Sequence, residues 1–598
     1  MKRLRLLKVF SRLVLGLLVT APGLLAQEVG QAAKTGKARK GTLDSSITAR
    51  VDKLFEKLAR PDSPGCSLGV SQNGALVYER GYGMANLELG VAITPASVFN
   101  IESISKQFTA MSILLLAQRG QLALDDDVRK YITELPDYGT PITLRHLLTH
   151  TSGLREGYSL LKLAGWRKDD IQRVDDLMWI IARQRALNFT PGTKYSYSNI
   201  GFELLAVIVK RVSGQSLRAF ADANIFKPLG MLHTHFHDDP RMIVPNRASG
   251  YYSGAPHGDS AVDLQDLHLA MYATYYDQVG DGGLMMTARD MLLWQQNFAD
   301  ARVGGREVVE AMQKPTVLTG GDTSSYGLGL RLYSYRGLRA IGHGGAGEGF
   351  SAQVMRYPDQ GLAIALFCNL ANINNDALVH GVEDIYLADV FPAPAVRSVT
   401  AAPRSVTAAP PTVSLSAEQL ASKVGLYRDS SNESLLRISI RDGKLRAHPG
   451  ADVAVVGGTE LRPVSENRFL LPSRTALEFV PAAAGRAQEV RVLAEGGKPR
   501  VFQQVNAFAP SSAELRAFEG EYVSSELETT YRLAVRDSGL VIQIKRMPDI
   551  VLRPTFTDAF MGAVVGVVKF SRDARGVVTG FTVTTRNVQG LRFDRVKQ

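Results

Sequence analysis

Two kinds of apolar pattern run along this chain. From residue 45 to about 390, short strand-like runs interleave with longer runs of helical period; beyond 415, only short alternating runs separated by turn residues remain. Asn73-Gly74 separates the runs 67–72 and 75–78. A two-residue hairpin favours that dipeptide because both central residues take positive φ. A helix is predicted from Ser103 to Arg119, with Gly120 as its stop. Near the end of this region the runs 350–357 and 362–368 flank Pro358-Asp359-Gln360-Gly361, which predicts a second hairpin, and a helix over 375–390 follows. Strands at both ends with helices between predict an α+β domain over 45–390, an antiparallel sheet drawn from both chain ends and flanked by helices.

Residues 391–414 form a linker of Pro, Ala, Ser and Thr with a direct duplication, Arg397-Ser-Val-Thr-Ala-Ala-Pro403 then Arg404-Ser-Val-Thr-Ala-Ala-Pro410. Proline keeps such a segment extended. Beyond it the chain repeats itself. Gly425-Leu-Tyr427 corresponds to Gly520-Glu-Tyr522 and Arg441-Asp442 to Arg536-Asp537, while Leu461-Arg-Pro463 matches Leu552-Arg-Pro554. Phe469, Phe479 and Gly485 match Phe560, Phe570 and Gly576. Two small antiparallel β-barrels, over 415–508 and 509–598, are the expected result.

Residues 1–26 read as a secretory signal, with Lys2, Arg3, Arg5, Lys8 and Arg12 ahead of the apolar stretch Leu13 to Leu25 and Ala26. Gly16, Pro22 and Gly23 break that stretch, which is short for a span of roughly 20 apolar residues. An uncleaved anchor is the alternative. Residues 27–44 form a basic linker containing Lys34, Lys37, Arg39 and Lys40. These two segments carry most of the formal charge of +11, so the folded part has no nucleic-acid footprint. The expected location is secreted or periplasmic. Cys66 and Cys368 each sit in an apolar strand-like run. Small buried hydrophobes are the favoured reading, and an oxidised pair is the alternative.

Ser103-Ile104-Ser105-Lys106 places a hydroxyl and an ammonium three residues apart, on one face of a helix. A serine attacks only when a base takes its proton, and a lysine serves if burial lowers its pKa. The spacing alone says little, since Ser159 and Lys162 repeat it. The frame separates the two: Phe99-Asn-Ile-Glu-Ser103-Ile-Ser-Lys106-Gln-Phe-Thr-Ala runs straight into an apolar helix. With this frame the chain resembles the penicillin-recognising serine hydrolases, specifically the class C β-lactamase-like branch of peptidase S12 type. That resemblance implies a β-lactamase/transpeptidase-like domain with Ser103 as nucleophile and Lys106 as its base.

The resemblance extends to two further elements in the required order. One is Tyr197-Ser198-Asn199 inside Pro191-Gly-Thr-Lys-Tyr-Ser-Tyr-Ser-Asn-Ile-Gly201. It implies a proton relay at Tyr197, whose phenol would ionise beside an ammonium, and a hydrogen-bonding Asn199. The other is His343-Gly344-Gly345 inside Gly342-His-Gly-Gly-Ala-Gly-Glu-Gly-Phe350. It implies a cleft-lining strand with His343 and Gly345 beside substrate, and an oxyanion hole from the N–H groups of Ser103 and Ala346. Glycines there are expected to let the backbone approach a ligand. The strings 142–154 and 282–290 look like scaffold landmarks of the same family, with His146 and His150 structural. His233, His235 and His237 alternate on an extended segment and could imitate a metal site, but the preceding Pro228-Leu-Gly-Met231 reads as family scaffold. No metal and no organic cofactor are expected.

The third element departs from the β-lactamases, which carry Lys-Thr-Gly there. A histidine is mostly neutral at pH 7 and holds a penicillin carboxylate less well. His-x-Gly resembles the D-aminopeptidases and some esterases, and the D-aminopeptidase also carries two C-terminal barrels. The expectation is cleavage of a small peptide, amide or ester through a Ser103 acyl-enzyme. Weak β-lactamase or DD-carboxypeptidase activity is the alternative, and a penicillin-recognising sensor with little turnover is a second.

Overall fold

The Asn73-Gly74 turn joins strands β1 (Cys66–Gln72) and β2 (Ala75–Tyr82), and both turn residues take positive φ, 51° and 77°. The computed structural model describes residues 45–597 apart from 168–169, 254–268, 273–276, 392–412, 451–457, 473–474, 483–485, 494–498 and 538. The expected signal and basic linker, nearly all of the duplicated linker, and Gly485 of the repeat therefore lie outside the described residues.

Four strands from the other end of the region complete the sheet: β3 (Arg331–Tyr335), β4 (Leu338–Gly347), β5 (Phe350–Tyr357) and β6 (Leu362–Cys368). The order is β3-β4-β5-β6-β1-β2, antiparallel throughout. Strands β5 and β6 are buried along their whole length, which is why they read as near-continuous apolar runs rather than alternating ones. Helices Ser45–Leu54 and Asn375–Tyr386 cover one face, where Val51, Val379 and Val382 join Leu68, Val70, Ile364 and Leu366 in one apolar cluster. The helix Ala288–Asp300 serves the other face, and its Ala288, Met291 and Leu292 join the main core.

Cys66 and Cys368 correct the reading of two separate buried thiols: they are disulfide-bonded. The β1–β6 register sets the two residues directly opposite each other. Strand pairing between segments 302 residues apart, invisible in the sequence, decides this contact.

The two repeats fold alike. Tyr427 and Tyr522 each donate their hydroxyl to a backbone carbonyl four residues earlier, of Lys423 and Phe518, at 2.9 Å in both copies. Ser416 and Ser511 cap the short helices that open the copies, each with a reciprocal capping box, to Gln419 and Glu514. The second copy is a closed barrel of eight strands, whereas the first is a nine-stranded antiparallel sheet whose end strands do not pair among the described residues. The second barrel rests on the first domain. Leu527 and Val588, each in a barrel turn, are buried in the same apolar cluster as Leu154 and Leu177.

Candidate active site

Ser103 sits in a tight turn rather than in the first turn of an α-helix. Glu102–Ser105 form a 3-10 turn, and the α-helix proper runs Lys106–Gln118, so the expected helix starts three residues late. Glu102 is held at φ +52°, where a non-glycine residue is uncommon. Its environment fixes it there: Asn100 Oδ1 accepts its N–H at 3.0 Å, and its carbonyl accepts the Ser105 hydroxyl. Ser105 in turn accepts the Leu284 N–H at 3.1 Å, tying the turn to the Gly282–Asp290 string. Ser103 is left half-buried on the surface of this turn.

Lys106 is wholly buried, and its ammonium has three acceptors: Ser103 Oγ at 3.0 Å, Asn199 Oδ1 at 2.9 Å and the Asp281 carbonyl at 2.7 Å. Three of the expected residues thus meet at one nitrogen. Tyr197 joins them differently from expectation. The ammonium lies 5.0 Å from the centroid of its ring, and the buried Tyr197 hydroxyl has no hydrogen-bond partner among the described residues. The ring is wedged against His150, with centroids 4.2 Å apart.

The string 142–154 explains how the Tyr197 loop is held. His150, Thr151 and Gly153 offer carbonyls to the N–H groups of Ser196, Gly192 and Asn188, and His150 Nδ1 accepts the Ser198 N–H at 3.2 Å. His146 closes a capping box with Thr143. Burial keeps both imidazoles below the usual histidine pKa.

Strand β4 crosses beneath the Ser103 turn. A Cβ on Gly345 would stand 2.1 Å from the Ile101 carbonyl oxygen, so this glycine serves the packing of protein on protein, not the approach of a ligand alone. Strand β3 pairs with β4 only from Leu338 to Gly342. From His343 to Gly347 the strand is paired on one side, by β5, and Ala346 is exposed there. His343 itself is buried. Its Nε2 meets the Tyr326 hydroxyl at 3.0 Å and its Nδ1 the Gly344 carbonyl at 2.6 Å. Burial, with the Lys106 charge, pushes its pKa down to about 3, so it is neutral at pH 7.

Several charged groups in the site were given no role by the motifs, although Glu102 stands inside one of them. Glu102, Glu156, Glu203 and Asp281 are buried around Lys106, and burial raises all four carboxyls; the lysine charge lowers each in part. Glu156 rises to about 7, while the backbone N–H groups of Ser159 and Asn199 hold it back. Glu203 was detectable as a lone carboxylate inside the apolar helix Ile200–Ser213, between Phe202 and Leu204. Arg331, at the start of β3, is the other omission. Its guanidinium lies 5.3 Å from the Tyr197 ring centroid and 5.9 Å from that of Tyr326, with no carboxylate partner among the described residues.

The Beta-lactamase family profile matches residues 51–385, more than half of the chain and the whole of this site. The chain belongs to the beta-lactamase family. Penicillin-binding protein 4* of Bacillus subtilis (strain 168) is 29% identical over 349 residues, which cover 57% of this chain and 76% of that one. A D-aminopeptidase of Cereibacter sphaeroides (strain ATCC 17029 / ATH 2.4.9) is 30% identical over 348 residues, covering 58% of this chain and 63% of its own. A D-aminopeptidase of Brucella ovis (strain ATCC 25840 / 63/290 / NCTC 10512) is 29% identical over 314 residues, 52% of this chain and 58% of that one. The match thus leaves more than a third of each D-aminopeptidase uncovered. Among solved structures, that of SurE superposes with a TM-score of 0.51 at 23% identity and covers 77% of this chain and 99% of its own. The expected fold is therefore the observed one: a beta-lactamase-family serine hydrolase domain followed by two closed or nearly closed barrels.

Proposed function

We propose that the chain is an exported serine hydrolase that cleaves a small peptide, amide or ester through an acyl-enzyme on Ser103. The observation that carries this is the Lys106 ammonium, held by Asn199 and the Asp281 carbonyl with its remaining contact on Ser103 Oγ. In its neutral form Lys106 takes the Ser103 proton as Oγ bonds to the substrate carbonyl carbon. The N–H groups of Ser103 and Ala346 hold the oxyanion, a contribution of about 10²–10³ in rate per donor. Tyr197, against the lysine, passes the proton to the departing amine or alcohol, and water then cleaves the acyl ester. No step calls on a metal or organic cofactor. The relatives named D-aminopeptidase support amides of D-amino acids as the first substrates to try. Export is supported by the basic and apolar stretches of residues 1–26, and the Cys66–Cys368 disulfide fits an oxidising compartment.

A fluorophosphonate probe tests the reading: intact mass should show one adduct per chain, lost in Ser103→Ala. A labelled S103A protein, or an unlabelled wild type, would sink it. A panel of D-amino-acid amides, D-Ala-D-Ala peptides, short-chain esters and nitrocefin then ranks substrates. One observation favours a second reading, DD-carboxypeptidase action. Arg331 provides beside Tyr197 the cation that His343 does not, and a guanidinium suits a substrate carboxylate. On that reading Arg331→Ala raises KM for D-Ala-D-Ala peptides and leaves KM for uncharged amides unchanged.

A further inference from the structure

The second barrel grips the catalytic domain at the segment that carries Glu156. Arg155 is buried, and its guanidinium reaches Glu526 Oε2 at 2.7 Å, the Gln589 carbonyl at 2.7 Å and Gln184 Oε1 at 3.1 Å. Glu526 and Gln589 belong to barrel turns, 525–528 and 585–590. The Glu526 carboxylate also accepts the Arg185 N–H at 2.7 Å, so this barrel side chain spends both hydrogen bonds on the other domain. Next along the chain, the Glu156 N–H donates to the Asn587 carbonyl at 3.2 Å. Asn188 completes the grip, donating to that same carbonyl at 2.9 Å and accepting the Gln589 N–H at 2.8 Å.

From Glu156 the contacts lead to the nucleophile. Its carboxyl accepts the Ser159 N–H and faces that of Asn199. Asn199 Oδ1 then receives the Lys106 ammonium, which contacts Ser103 Oγ. An Arg–Glu pair with side chains 1% and 6% exposed is a costly way to fasten two domains, because both charges leave water. The neighbouring Arg183–Glu528 pair at the same interface is exposed at 35% and 53% and carries no such cost.

We propose that the second barrel is part of the catalytic apparatus: Glu526 is a positioning residue that, through Arg155 and Glu156, sets the place of Asn199 and Lys106 against Ser103. The proposal rests on the acyl-enzyme reading above. Displacing reacting groups by about 1 Å costs on the order of 10²-fold in rate, so loosening this grip should appear in the chemical step.

The test uses the full chain and compares Glu526→Gln, Asn188→Ala and Glu528→Gln. The fluorophosphonate labelling rate constant, the fraction of molecules labelled at completion, and kcat and KM on the best amide of the panel are measured for each. E526Q, nearly isosteric, should lower kcat and the labelling rate constant about ten-fold or more. Its KM should stay within two-fold and its completed labelling near wild type. N188A should move the same way by a few-fold, and E528Q should match wild type. Wild-type rate constants in E526Q and N188A overturn the proposal. So does a loss confined to KM, which makes the barrel a substrate contact, or one confined to the labelled fraction, which makes Glu526 a fold stabiliser. Should E526Q fail to fold, N188A decides by the same criteria. A wild type that never labels defeats the acyl-enzyme reading itself, whereas a wild type and E526Q that label equally fast defeat only this inference.

Discussion

Replacing Glu156 with glutamine removes one of the four carboxyls buried around Lys106 while keeping its shape and the acceptor that caps Ser159, 3.1 Å away. Burial and the Asp281 charge raise the Glu156 pKa from 4.5 to about 7. Between those values the folded chain holds a proton that the unfolded chain has lost, so this group's contribution to stability falls as pH rises. It is undiminished below about pH 4.5 and fully lost once the folded carboxyl ionises above about 7. At about 1.4 kcal/mol per pH unit the total is about 3 kcal/mol. Glu156 also raises Glu203, so the variant relieves that neighbour in the same direction. The assay is urea denaturation of wild type and E156Q from pH 4.5 to 8, followed by a signal from the catalytic domain. E156Q should gain on wild type by about 3 kcal/mol across that range, most steeply between pH 5 and 7. A difference that stays flat with pH would refute the reasoning, because the carboxyl would then titrate alike in both states.

Two further outcomes follow from packing and covalent structure. Gly345→Ala puts a methyl 2.1 Å from the Ile101 carbonyl, which forces β4 away from the Ser103 turn. The denaturation midpoint should fall by about 1–3 kcal/mol of stability and kcat by more than about ten-fold, measured side by side. Cys66→Ser with Cys368→Ser removes a link across 302 residues, and the chain-entropy account puts its worth at about 6 kcal/mol at most. Dithiothreitol should lower the midpoint of wild type toward that of the double variant and leave the variant unchanged.

Local chemistry was legible in the sequence wherever a few adjacent residues carry it. Asn73-Gly74 dictates its hairpin because both residues tolerate positive φ, and Asp359-Gln360-Gly361 closes another turn with Gly361 at φ +63°. The matched Tyr427 and Tyr522 helped make the repeat readable, because each copy closes the same local bond with its hydroxyl; the capping boxes at Ser416 and Ser511 are a further likeness that the fold shows. The strings around Ser103, Tyr197 and His343 are readable for the same reason, and they point to a single site.

Tertiary structure alone decided what those strings do to one another. Only the β1–β6 register could oppose Cys66 and Cys368, since strand pairing across 302 residues leaves no local trace. Only the fold could gather Glu102, Glu156, Glu203 and Asp281 around Lys106, because each sits in a different segment, and burial rather than residue type makes the carboxyls unusual. His343 shows the division within one residue. Its place in the motif is written in the sequence, but its neutrality and its turn toward Tyr326 come from the desolvated core that β4 enters. The Ser103 frame was written in twelve consecutive residues; the carboxyls around Lys106 were gathered from segments spread over residues 102–281.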